Sequence, residues 1–173
     1  ELIDKDNIFL MSNFKKISTI KDLSMKIKSH PSAINQLKYR RGIIYLRKKN
    51  YKKAIDDFTN VIWRNKSEHV RGRRSLFIGK EKLYNTYLFR SFAYLLSGDD
   101  EKYGNDYNFL TKSDCKMEYV CFLFFSYAVI KKAKTEEAIR RYNKVRGYSK
   151  ELFEFEQDLL NLLPIEDVEG LKE

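Results

Sequence analysis

Apolar and aromatic positions along this chain recur at intervals of three and four and rarely alternate, which predicts helices and leaves strand signals scarce. The clearest stretch is residues 42–61, where Gly42, Tyr45, Tyr51, Ala54, Phe58 and Val61 sit at spacings of 3, 6, 3, 4 and 3. That spacing predicts two short helices joined by a tight turn: Gly42 admits a neighbouring helix and Tyr45 packs one turn later, while Ala54, Phe58 and Val61 share a face of the second helix. Towards the N-terminus, Leu2, Ile3, Ile8, Phe9, Leu10 and Phe14 predict one amphipathic helix and Leu23 to Ile27 a second. His30-Pro31-Ser32 then makes a break, with Ser32 as the expected N-cap of the next helix. Near the other end, Leu152, Phe153, Phe155, Leu159, Leu160, Leu162 and Leu163 form an apolar stripe over residues 149–163 that Pro164 ends. Two prolines and seven glycines interrupt little, so the expected class is all-α.

The stretch GIIYLRKKNYKKAIDDFTNV resembles the tetratricopeptide repeat, a helix-turn-helix unit of about 34 residues. A lone unit cannot bury its apolar face, so the resemblance requires recurrence. A second unit lies on residues 84–117, with Ala93 and Tyr94 in its first helix, Gly98 and Asp99 at the turn, and Tyr107 and Leu110 facing inward; Tyr103 replaces the usual small residue. A third lies on residues 119–152, with Ser126 at the close-approach position, Ala138 as the small residue, and Tyr142 and Val145 completing the face. Its turn, Ala133 to Thr135, has no glycine. The first unit covers residues 35–68, and an insert separates it from the second. Residues 1–34 are expected to be a degenerate repeat or a link to a preceding domain, and residues 149–173 an acidic capping helix and tail. The implied architecture is an α-solenoid of stacked helix-turn-helix units, and the implied function is docking other proteins without catalysis.

In that family the first helices of the units line the concave surface. The residues of this chain expected to line a partner-binding groove there are Tyr39, Ile43 and Arg47, then Leu88 and Phe92, then Leu123, Tyr127 and Lys131. Chaperone-binding relatives hold a terminal carboxylate with Lys, Asn and Arg on these helices; Tyr39, Ile43, Leu88 and Phe124 stand in those places here, so that clamp is missing. An apolar groove suits an amphipathic helix or an extended hydrophobic segment. The alternative is that part of the same chain fills it.

Charge adds a second theme to this pattern. The net charge is +10, yet residues 1–150 hold 33 Lys and Arg against 16 acids, whereas residues 151–173 hold eight acids and one Lys. A basic body with an acidic tail attracts acidic protein segments, nucleic acid or anionic lipid; the abundance of Lys, Ile, Asn, Tyr and Phe equally fits an AT-rich genome. The densest basic segment is the insert, residues 64–82, with Arg64, Arg71, Arg73, Arg74 and Lys80. The Arg71 to Arg74 run reads as an exposed loop able to grip phosphate or carboxylate, or as a solvated connector. Trp63 is expected to pack beneath it.

Chemistry narrows the choice further. At 173 residues and 43% hydrophobic the chain can bury one core. Its longest apolar run, Tyr119 to Ile130, falls short of the roughly 20 residues that span a bilayer. Glu1 and the charges close behind it show no signal peptide, and the chain reads as a piece of a longer one. Cys115 and Cys121 match neither a redox nor a zinc spacing, which suggests a reducing cytoplasmic setting. Cytoskeletal or ciliary assemblies enter by analogy only. With two histidines, no phosphate loop and no metal-ligand cluster, no cofactor or metal is expected. Arg64 and His69, in RNKSEH, resemble the Arg-x4-6-His motif of the HEPN ribonucleases, where they would stabilise a transferring phosphate and move protons. The alternatives to a protein scaffold are therefore a basic helical RNA-binding domain and such a nuclease.

Overall fold

The computed structural model describes residues 19–70, 79–147 and 156–164. Among them the chain forms eight α-helices and no strand: α1 (Ile20–Ser29), α2 (Ile34–Arg47), α3 (Tyr51–Val70), α4 (Lys80–Ser97), α5 (Asp100–Lys112), α6 (Met117–Lys131), α7 (Thr135–Arg146) and α8 (Glu156–Leu160). The expected all-α class is what the described residues show. The expected helix at residues 2–14 lies outside them.

Local chemistry explains where the helices begin and end. Thr19 caps α1 by accepting the Asp22 amide at 3.1 Å, with Asp22 in the first turn and Lys26 and Lys28 in the last, each sign where the helix dipole favours it. Pro31 then opens a 3-10 turn, Pro31–Ala33, that leads directly into α2. Ser32 sits inside this turn and is not the cap of α2; Ala33 holds that position with no side-chain bond. A proline at the start of a short 3-10 turn fixes the entry angle without a cap.

The α2–α3 and α4–α5 turns share one geometry. In the first, Lys49 takes a left-handed φ of 58° and the Asn50 amide donates back to the Tyr45 carbonyl at 2.8 Å. In the second, Gly98 has φ 82° and the Asp99 amide reaches the Tyr94 carbonyl at 2.9 Å. Both are left-handed helix stops that satisfy the last carbonyls. Asn50 and Asp99 then cap the next helix by accepting the Lys53 and Lys102 amides. The α6–α7 turn also stops left-handed, at Lys132 (φ 52°), but needs a second left-handed residue, Lys134 (φ 53°), and has no side-chain cap.

From α1 to α7 each helix packs on its chain neighbours, and α4 also touches α2 and α6. One apolar cluster runs through α2 to α8, and a small second one joins Leu23 of α1 to Ala33 and Leu37. Rings carry the large cluster from end to end. Tyr39 and Phe58 meet Phe89 at 5.9 Å each, Phe92 meets Phe122 at 5.4 Å, and Phe125 stacks on Tyr142 at 4.6 Å. Such tilted and stacked pairs add to what their burial contributes.

Candidate partner-binding surface

Two charged clasps set the helical hairpins. Arg41 of α2 donates from Nε and Nη2 to both carboxylate oxygens of Asp57 on α3, each at 2.7 Å. Its remaining nitrogen, Nη1, reaches Ser24 Oγ on α1 at 2.9 Å. Arg90 of α4 does the same to Asp106 on α5, at 2.8 and 2.7 Å, and its Nη1 reaches Thr59 Oγ1 on the preceding α3 at 3.1 Å. Each arginine thus ties its own hairpin shut and binds it to the helix before. Burial pushes the Asp106 carboxyl upward despite the guanidinium beside it, while the carboxylate holds Arg90 above its usual range against the lowering effect of burial.

The correspondence extends beyond the clasps. Arg41, Tyr45, Lys53 and Asp57 match Arg90, Tyr94, Lys102 and Asp106 at one constant offset of 49. The guanidinium and the lysine cover the tyrosine ring in both hairpins: Arg41 and Lys53 lie 5.8 and 5.6 Å from the Tyr45 ring, Arg90 and Lys102 5.8 and 5.6 Å from that of Tyr94. The α6–α7 hairpin lacks the clasp, because Phe124 and Arg140 or Arg141 occupy the corresponding region and Arg141 instead lies over Phe124 at 5.4 Å.

The residues expected to pack the repeats take these positions. Ala54, Phe58, Ala93, Ala138 and Tyr142 are fully enclosed and Tyr94 is 9% exposed, with Tyr45, Tyr51 and Tyr107 packed at the edge. A Cβ on Gly42 would come within 2.6 Å of the Phe58 ring, so glycine is what lets α2 and α3 approach there. Tyr103, in place of a small residue, donates its hydroxyl to the Leu123 carbonyl at 3.1 Å and ties α5 to α6. Burial raises that phenol's pKa.

The eight groove residues divide sharply. Tyr39, Ile43, Leu88, Phe92 and Leu123 lie inside the core, with the last three wholly enclosed. Tyr127 is half-buried against Tyr103 at 5.3 Å, and only Arg47 and Lys131 stand exposed, each at the C-terminal end of its helix. Lys131 pairs with Asp100 at 2.7 Å, and Arg47 pairs with Asp158.

That second pair brings in the C-terminal segment. Glu156, 3% exposed on α8, accepts the Tyr142 hydroxyl of α7 and faces Arg146 Nε at 3.7 Å, an ion pair too long for a hydrogen bond. Leu159, Leu160 and Leu163 are buried in the same apolar cluster as the groove residues. Two carboxylates two residues apart therefore join the last hairpin to the first. The stripe expected at residues 149–163 is thus apolar and inward over its described part, although the regular helix there ends at Leu160.

No family model, curated protein or solved structure matches the chain. The surface has to be read from its own residues.

In the basic insert, Arg64 lies on α3, half-buried, with its Nε enclosed and lacking a hydrogen-bond partner. Lys38, close enough for the Arg41 and Arg64 charges to act on it, is lowered first by burial and then by them, against the raising effect of Asp57. Lys80 opens α4 and pairs with Asp114. Arg71, Arg73 and Arg74 lie outside the described residues, as does the side chain of His69, so the Arg64–His69 pairing has no geometry to report. Trp63 is 62% exposed on α3, which corrects the expectation that it packs beneath the insert: its neighbours Val61 and Ile62 take the inward face and leave it outside. Among the described residues no cluster of three or more His, Cys, Asp or Glu could hold a metal, and no helix is long and apolar enough to cross a membrane.

The Arg–Asp clasps and Glu156 and Asp158 escape a reading of apolar positions alone. The clasps leave a signal, an Arg with an Asp 16 residues on, twice, one in each of the first two described hairpins after α1. The pairing of Arg47 with Asp158 spans 111 residues and leaves none.

Proposed function

We propose that the chain is a stack of helical hairpins of the tetratricopeptide kind, an α-solenoid segment whose work is to dock a segment of another protein within a larger assembly. One observation carries the reading: two hairpins match position for position at an offset of 49 in clasp, ring, lysine, left-handed stop and cap. Each clasp also reaches back to the preceding helix, through Ser24 and Thr59, so α1 takes the part of a second helix in an earlier unit. Units that bind to their predecessor by one repeated contact are how solenoids build extended binding surfaces. Lys131 and Arg47 at the exposed helix ends give such a surface a basic rim for an acidic or amphipathic partner. Chemical cross-linking in extracts of the source cells tests this. Cross-links from a protein partner are expected on Lys48, Lys49 and Lys131; cross-links confined to Lys52, Lys66 and Lys112 would place the partner elsewhere and refute the surface.

Exposed Trp63 beside Lys66 on α3 favours a second reading, RNA stacking on a basic helix. It requires binding that weakens steeply with salt and is lost in Trp63→Ala.

A further inference from the structure

We propose that Glu156–Leu163 fills the docking surface as the chain's own stand-in for a partner, and that the partner recognised there is an acidic, leucine-rich helix. The proposal rests on the docking reading and deepens it by naming the occupant's chemistry.

Glu156–Leu160 keeps its place on the rest of the chain through what it touches. Its contacts are of two kinds. Glu156 is the buried anchor, held by the Tyr142 hydroxyl and faced by Arg146, and Leu159, Leu160 and Leu163 supply the apolar contact. Asp158 is the exposed latch, paired with Arg47 where both side chains are about two-fifths open to water (43% and 41%). Exposed pairs are weak, so the latch is where the segment releases. A partner carrying two carboxylates two residues apart, with leucines after them at the spacing of Leu159, Leu160 and Leu163, would meet the same arginines and the same apolar contacts. The two arginines that face these carboxylates, Arg47 and Arg146, favour an acidic helix of this kind over a basic one. Because the segment is tethered, its effective concentration at the site is in the roughly millimolar range, and a partner competes only to the extent that the segment leaves.

The test uses the full chain and a fluorescein-labelled peptide with the sequence of Glu156 to Pro164, read by anisotropy. The released form carries Asp158→Lys with Leu159→Asp and is checked for native helicity by circular dichroism. The peptide is expected to bind this form about tenfold or more tightly than wild type, because the competing segment is gone. Adding Arg47→Ala to the released form is expected to weaken it about fivefold. Asp158→Lys alone, an exposed change that spares the core, is expected to raise affinity about threefold and serves if the double variant unfolds. Equal affinity for wild type and released forms, indifference to Arg47→Ala, or no binding to either form would each overturn the stand-in. So would a released form that sediments as a dimer by exchanging α8, which would make a second copy the occupant. None of these results touches the cross-linking outcome, so the docking reading stands or falls separately.

Discussion

Arg90 grips Asp106 through two parallel hydrogen bonds of 2.8 and 2.7 Å while its third nitrogen holds Thr59 of the helix before. The carboxylate is 4% exposed, so the pair is an enclosed charge that owes its tolerance to complete pairing. Removing one partner strands the other. Asp106→Ala and Asp57→Ala should each cost about 3–5 kcal/mol, whereas replacing the whole pair, Arg90→Met with Asp106→Leu, should cost much less. Urea unfolding of the three variants checks this; single losses under about 1 kcal/mol would mean the clasps do not hold the hairpins.

The contact of Gly42 with the Phe58 ring gives an independent handle on hairpin closure. Gly42→Ala places a methyl 2.6 Å from Phe58 Cε1 in a fully buried site, and about 1–3 kcal/mol of destabilisation is expected. The same substitution in a Phe58→Leu background should cost clearly less, because the ring that collides is gone. Additive losses in the double variant would show that the clash is not the cause.

Helix stops at lysine predict gains. Lys49 and Lys132 hold left-handed conformations that glycine adopts without a Cβ penalty. Lys132→Gly and Lys49→Gly should each stabilise by about 1 kcal/mol, and Gly98→Ala should cost a similar amount. Thermal melts read the sign directly.

These turns also mark how much of the fold is legible in the sequence. The hairpin of residues 42–61 is legible because Gly42, Ala54 and Phe58 carry the helical period and a close approach at once. The turn at Gly98 is legible because glycine names its own conformation; the stop at Lys132 is not, since a left-handed lysine looks like any lysine. Burial of Leu88, Phe92 and Leu123 is only half legible. Periodicity says which helix face is apolar but not whether a neighbour or solvent meets it, and the neighbouring helices do. The charges are the least legible. Arg41, Asp57, Arg90 and Asp106 look like surface residues until their partners, 16 positions away, are in place.

Asp114 gives a pH-dependent contact. Lys80 and the Tyr84 hydroxyl hold its carboxyl well below the usual range, at about 2, which pins the α5–α6 loop to the start of α4. The unfolded carboxyl titrates near 3.8, so the stabilisation is fully present above about pH 4 and is lost as the pH falls towards 2. Carboxyl titration followed by NMR should show the low midpoint in wild type and its return towards 3.8 in Lys80→Ala. An ordinary midpoint in wild type would show that the contact does not persist in solution.

Docking of a protein segment at the surface between the first and last hairpins is tested most directly by affinity capture with the full chain in its released form, Asp158→Lys with Leu159→Asp, with and without Arg47→Ala and Lys131→Ala, by quantitative mass spectrometry. A protein recovered by the released form should fall about fivefold or more when both exposed cations of the rim are removed. Recovery of the same proteins in the same amounts by both forms, or of none by the released form, would contradict it.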